Sequence, residues 1–141
     1  MLDLKPLLKL NILRRRSVDV GLLRINSEIR NCERKLAGLS RRREEAEANV
    51  YRSNLERGQA QMFRNLNIFL VQIESQEDKL CVEIRALRAE KVRLEETLKA
   101  VIATDDYLQS QISKTKKAEA RDRDMAESNQ LQQLNIMRQM Y

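Results

Sequence analysis

Apolar residues recur in this chain at alternating intervals of four and three residues, and this spacing constrains the fold more than any other feature. Such a repeat matches the heptad period of a helix that packs one apolar seam against a partner helix. A second repeat of the same kind runs from Leu66 to Ile112. The sequence therefore predicts two long helices, each with one seam. The seven consecutive apolar positions of the first seam are Val18, Leu22, Ile25, Ile29, Cys32, Leu36 and Leu39.

Charged residues on the two seams indicate how the helices pair. Arg15 and Arg43 lie on the first seam, and Glu77 and Asp105 lie on the second. If the chain folds back so that facing residue numbers sum to about 120, each arginine faces one of these acids. A register shifted by one heptad instead buries each arginine against a leucine, which is costly because the charge is unpaired. We therefore predict an all-α fold, a two-helix antiparallel coiled-coil hairpin, rather than one long helix that dimerises.

This register fixes the expected boundaries of a single hairpin over residues 1–141. Helix 1 is predicted from about residue 3 to 56, a turn at about 57–60, and helix 2 from about 61 to 137. Gly58 is expected to take the left-handed conformation that ends helix 1. Residues beyond about 120 have nothing to face and are expected to continue as a single helix. Cys32 and Cys81 lie too far apart in this register for a disulfide, so both are predicted to be reduced.

The composition argues against several classes of function. The chain has no His, only three Gly and no CxxC motif, so it offers no catalytic triad, metal centre or phosphate-binding glycine loop. We predict no enzyme, no cofactor and no metal. No stretch approaches the roughly 20 apolar residues of a membrane span, and the charged N-terminal segment is not a signal peptide. The expected location is cytoplasmic, without direct membrane insertion.

The net positive charge is concentrated in the first part of the sequence. Residues 1–60 hold 14 Lys and Arg against 8 Asp and Glu, whereas residues 61–141 hold 13 of each. Two basic sets, one on each predicted helix, are predicted to dock into an acidic ring or channel; ordinary hydration of a charged surface is the alternative. The predicted register places both sets at one end of the hairpin. These candidate residues are Arg14, Arg15, Arg16, Lys114, Lys116 and Lys117.

An apolar cluster follows the predicted turn. The stretch "MFRNLNIFLVQI" is apolar around most of its helix circumference, and one partner helix covers only one stripe of it. Phe63, Ile68, Phe69 and Val71 should remain exposed, with Tyr51 nearby on helix 1. Exposed apolar clusters usually mark contact with another protein. We predict a partner-binding surface here, with self-association as the alternative.

The chain resembles the FliJ/YscO family, the central-stalk proteins of type III secretion ATPases. The resemblance rests on the opening "LLKLNILRRRSVDVGL", a turn near the middle, an aromatic residue early in helix 2 and the closing "KTKKAEARDRDMAESNQLQQL". It covers nearly the whole chain, although the motifs are diffuse. The short form and the "LNILRRR" opening look more like the injectisome branch than the flagellar branch.

The resemblance implies that the paired termini enter a hexameric secretion ATPase and stimulate it. It also implies contact between the hairpin tip and the cytoplasmic domain of the export gate, secretion chaperones as further partners, and a cytoplasmic position peripheral to the inner-membrane apparatus. Arg14, Arg15 and Arg16 match the family's basic start. Phe69 matches a tip-proximal aromatic position, and Leu39 matches an apolar position on helix 1. This sequence departs from the family at Arg42 and Ala46, where aromatic residues are expected; Tyr51 is a candidate substitute.

The residues alone suggest two other functions, of which the first remains open. A coiled-coil chaperone or scaffold would bind another amphipathic helix. Nucleic-acid binding is suggested by the sequence pI of about 9.6. However, the chain is only 4% aromatic, and its basic residues alternate with acids along most of both helices. Stacking platforms and continuous basic stripes are therefore missing, and we predict no nucleic-acid partner.

Overall fold

The computed structural model describes residues 3–54 and 60–140, and side chains within 3–52 and 60–140. Two helices account for nearly all of these residues: α1 spans Lys5–Asn54 and α2 spans Ala60–Met140. They pack antiparallel against each other, and no strand occurs in the described ranges. The predicted all-α helical hairpin is confirmed.

The first helix begins where a side chain can replace a missing backbone partner. Asp3 Oδ1 accepts a hydrogen bond from the Lys5 amide at 3.1 Å, which satisfies one of the free N–H groups at a helix start. The Leu8 amide already donates to the Leu4 carbonyl at 3.0 Å. Pro6 falls in this first turn, where a missing N–H costs nothing. These features explain a start two residues later than predicted.

The predicted turn lies largely outside the described residues. Residues 55–59, including Gly58, belong to that gap, so the predicted end of helix 1 at 56 and the left-handed glycine stay predictions. Ala60, the last residue of the predicted turn, is the first residue of α2. At its other end α2 continues to Met140, three residues beyond the prediction.

The chain divides into two compact units, which we describe separately. The terminal unit comprises residues 1–17 and 98–141, and the central unit comprises residues 18–97. The core of the central unit is built from both helices, and every member of it lies on a predicted seam. Burial at these positions confirms the heptad reading within this unit. The core residues are Ile25, Ile29, Cys32, Ile84 and Leu87, with Leu36, Leu80 and Leu94 packed against them.

One predicted charge pair is present in the central unit. The Arg43 guanidinium lies 2.8 Å from Oε1 of Glu77, and both side chains are partly buried. That oxygen is inaccessible and accepts no well-aligned hydrogen bond among the described residues, so the contact is one of charge rather than of hydrogen-bond geometry. Two further pairs bridge the helices in this unit, Arg24 with Glu90 and Arg88 with Glu33, and both are exposed.

The other predicted pair, between Arg15 and Asp105, is wrong. Arg15 is exposed, and Asp105 accepts a hydrogen bond from Gln109 one turn further along α2 at 3.1 Å; no ion pair joins the two residues in the part of the chain that the structure describes. The seam of the terminal unit is instead anchored by Asn11, whose amide donates to the Val101 carbonyl at 2.9 Å. The long arginine side chain reaches water from the seam edge, so it needs no buried partner.

Candidate functional site

The six basic candidates all lie exposed in the terminal unit. Lys116 lies beside Leu4 and Lys5 at the start of α1, and it shares a shallow groove with Leu8 and Lys117. The three arginines follow on α1, about 10 Å further along the helix than Leu8. The predicted sets therefore share a unit but form two neighbouring patches rather than one.

Most of the excess positive charge belongs to the terminal unit. The terminal unit holds 12 Lys and Arg against 7 Asp and Glu, a net charge of +5. The central unit holds 15 against 14, a net charge of +1. None of the six basic candidates takes part in an ion pair within the described ranges. The terminal unit is thus the basic one, and its candidate cations are available to a partner.

The apolar candidates lie in the central unit, and three of the four are accessible. Tyr51, Phe63 and Phe69 are exposed, and Phe69 borders a shallow groove with Val50 and Leu66. Ile68 and Val71 of α2 are exposed as well. We call these residues, Tyr51, Phe63, Ile68, Phe69 and Val71, the aromatic surface.

The fourth apolar candidate, Leu39, is not part of that surface. It is only 7% exposed and occupies a seam position beside Leu80. Along α1 it lies about 18 Å from Tyr51. Because Leu39 is buried, it packs between the helices. A sequence match to an apolar position does not distinguish such a packing residue from a partner-binding residue.

Sequence reasoning missed a groove next to Leu39. It opens above Gly38, and Lys35 and Arg42 of α1 and Lys79 of α2 stand around it. A Cβ built at Gly38 meets nothing within 4 Å, whereas one at Gly21 meets Leu94 Cδ1 at 3.2 Å. A glycine inside a helix costs about 1 kcal/mol relative to alanine. The signal available in the sequence was a glycine off the seam in mid-helix, flanked by basic residues.

The two cysteines differ in exposure. Cys32 is buried in the central core, whereas Cys81 is exposed. Burial, together with the nearby negative charge of Glu83, raises the pKa of the Cys32 thiol above its usual value. A raised pKa lowers the thiolate fraction, so Cys32 is a poor nucleophile.

Among the described residues, no three His, Cys, Asp or Glu side chains are placed to share a metal ion. Neither described helix contains an apolar stretch long enough to cross a bilayer.

Comparison with known proteins identifies no relative of this chain. No protein-family model, curated protein or solved structure matches the chain. The structural description therefore rests on the chain itself, and the FliJ/YscO resemblance stays a prediction.

Proposed function

We propose that this chain is a non-enzymatic central-stalk component of a type III secretion system. In this proposal the terminal unit docks into the hexameric secretion ATPase and stimulates it. The central unit contacts the cytoplasmic domain of the export gate through its aromatic surface. The protein would act in the cytoplasm, peripheral to the inner-membrane apparatus, with secretion chaperones as further partners.

The uneven charge of the two units is the observation that carries the proposal. A net charge of +5 in the terminal unit, against +1 in the central unit, favours insertion of the terminal unit into an acidic ring interior. Electrostatic complementarity of this kind speeds encounter and selects orientation. The exposure of all six candidate cations supports direct contact with acidic residues of a ring.

A charge reversal tests the docking step. Replacing Arg14, Arg15 and Arg16 together by Glu should abolish stimulation of ATP hydrolysis by the cognate hexamer, because six units of charge change where the ring is expected to be acidic. A matched control replaces Arg34, Arg85 and Arg93, exposed cations of the central unit, by Glu. Steady-state ATPase assays with and without each variant provide the readout, and circular dichroism verifies that both remain helical.

Either of two results would refute ring docking by the terminal unit. The first is that the Arg14, Arg15 and Arg16 variant stimulates the ATPase as well as the unaltered protein does. The second is that the control variant loses stimulation to the same extent, which would show that net charge matters and its location does not.

The second candidate function is that of a coiled-coil chaperone or scaffold for another helical protein. The observation in its favour is the last part of α2, where every described residue from 120 to 140 is exposed. This segment carries Leu131, Leu134 and Met137 at intervals of three residues, which places them on one helix face that a client helix can cover. Tight 1:1 binding to one helical client, with no effect on any ATPase, would favour this function over the stalk.

A further inference from the structure

The groove above Gly38 has the composition of a binding site for an anionic apolar partner. It is lined by Gly38, Leu39 and Leu80, which we call its floor, together with Gln76 and three cations, Lys35, Arg42 and Lys79, which we call its rim. It is an open groove of about 450 Å³, room for a large aliphatic side chain. The surface accessible in the groove is almost wholly apolar, although three of its seven lining residues are cationic.

Glycine at position 38 has no explanation in the packing of the hairpin. Gly21 makes close approach to Leu94 possible, because a Cβ there lies 3.2 Å from Leu94 Cδ1. At Gly38 a Cβ meets no atom within 4 Å, so alanine would fit and would strengthen the helix. The missing side chain instead keeps the groove floor open.

Among the described residues, none of the three rim cations Lys35, Arg42 and Lys79 forms an ion pair. Glu77, an acid on the seam of α2, is already engaged by Arg43. Positive charge around an apolar floor is complementary to carboxylates that flank an apolar side chain.

We propose that this groove docks an acidic amphipathic helix of a partner protein, with one apolar side chain seated above Gly38. The groove lies between two long antiparallel helices, and a third helix packs naturally along such a groove. Lys35 and Arg42 are two helical turns apart, about 10 Å. The partner helix therefore carries acids seven residues apart, with a leucine-sized residue between them. This interaction requires neither the ATPase nor the export gate, so it goes beyond the stalk proposal.

A designed peptide tests the groove in the full-length protein. The probe is a fluorescent, alanine-rich helical peptide of about 20 residues with Glu at positions −4 and +3 around a central Leu. Fluorescence anisotropy in about 150 mM NaCl measures its affinity. We expect saturable binding that weakens at least about tenfold with Gly38→Leu, which fills the groove, and with the Lys35→Glu, Arg42→Glu double variant. Arg34→Glu with Arg41→Glu, exposed cations of the same helix outside the groove, should leave affinity unchanged.

Control measurements test whether a loss of binding comes from the groove itself and not from unfolding or from failure of the stalk proposal. Gly38→Leu should melt no lower than the unaltered protein, and it should stimulate the ATPase normally if the stalk proposal holds. Failure of the stalk proposal alone would therefore leave peptide binding intact. A peptide with Lys in place of Glu, and one with Ala in place of the central Leu, should each bind at least about tenfold more weakly.

Several outcomes would overturn the docking proposal. They are no binding up to about 1 mM peptide, equal binding of the acidic and basic peptides, and unchanged affinity in Gly38→Leu. Stronger Gly38-dependent binding to phosphatidylglycerol vesicles than to the acidic peptide would assign the groove to a lipid surface instead.

Discussion

At the scale of single residues, Asn11 is a buried polar residue whose effect on stability depends on its hydrogen-bond partner. It is 4% exposed on a seam of apolar neighbours, and its amide donates to the Val101 carbonyl of the facing helix at 2.9 Å. A buried Asn in a coiled coil lowers stability but favours one register, because only that register supplies its hydrogen-bond partner. We infer that Asn11 holds the register of the terminal unit.

Replacing Asn11 by Asp tests this role through pH. The carboxylate cannot donate to the Val101 carbonyl, so we expect a loss of about 2 kcal/mol at pH 7. Burial should raise the folded pKa of the new carboxyl above its unfolded value. The lost stability should therefore return as the pH falls through that raised pKa and the protonated group donates again. Thermal unfolding at several pH values, relative to the unaltered protein at each pH, provides the measurement.

Asn11→Leu is the matched control, since it removes the hydrogen bond without burying a charge. It should be at least as stable as the unaltered protein at every pH. A loss equal to that of Asn11→Asp, independent of pH, would show that position 11 matters for shape and not for the hydrogen bond.

The two cysteines give a residue-level test of burial. Cys32 is buried with a raised pKa, and Cys81 is exposed. A thiol reagent near pH 8 should therefore label Cys81 rapidly and Cys32 slowly, and the slow reaction should accelerate at higher pH as thiolate forms. Cys81→Ser should remove the fast phase, and Cys32→Ser the slow one. Equal rates in the folded protein would contradict the buried position of Cys32.

At the scale of the helices, the contact between Arg43 and Glu77 links α1 to α2. Its two ends are not equivalent: Arg43 is 38% exposed, whereas the contacted oxygen of Glu77 is inaccessible. Removing the arginine leaves a buried carboxylate oxygen without compensation, whereas removing the acid leaves a cation that reaches water. The pair should therefore respond asymmetrically to substitution.

We expect Arg43→Met to lower the free energy of unfolding by about 1–3 kcal/mol and Glu77→Gln by less than about 1 kcal/mol. The double variant should recover part of the loss, since no charge is then unpaired. Urea denaturation of the four proteins measures the coupling. The exposed pair Arg88 and Glu33 is the control, with coupling near zero; similar coupling in both pairs would argue against the importance of burial.

At the scale of the whole molecule, the basic residues and the aromatic surface belong to different units. If each serves its own partner, their effects should separate. Phe69→Ala should weaken binding to the export-gate domain at least about tenfold yet leave ATPase stimulation intact. Val82→Ala, another exposed apolar residue of the central unit, should affect neither. Pull-down titration and ATPase assays on the same preparations measure both activities.

Equal loss of gate binding and ATPase stimulation in Phe69→Ala would contradict separate surfaces. Equal loss of gate binding in Val82→Ala would show that the aromatic surface is not specific. Both results are interpretable only if each variant stays as helical as the unaltered protein, which circular dichroism measures.

The sequence alone determined the two helices, their antiparallel pairing and most of the buried positions. Heptad spacing is a local property: a residue repeated every 3.5 positions stays on one helix face, whatever lies opposite. The same reasoning placed Arg43 against Glu77, because a charge on a seam needs a partner when it is partly buried. Exposure of Phe63 and Phe69 followed from counting how much of α2 a single partner helix can cover.

Only the tertiary structure decided how side chains meet across the seam. Arg15 reaches water and leaves Asp105 to Gln109, while the shorter Asn11 is enclosed and bonds to Val101. Leu39 is buried between the helices, and the open groove beside Gly38 is lined by residues of both helices. The physical reason is that burial depends on periodicity, which the chain carries locally, whereas contact depends on side-chain length and on distances between residues far apart in sequence.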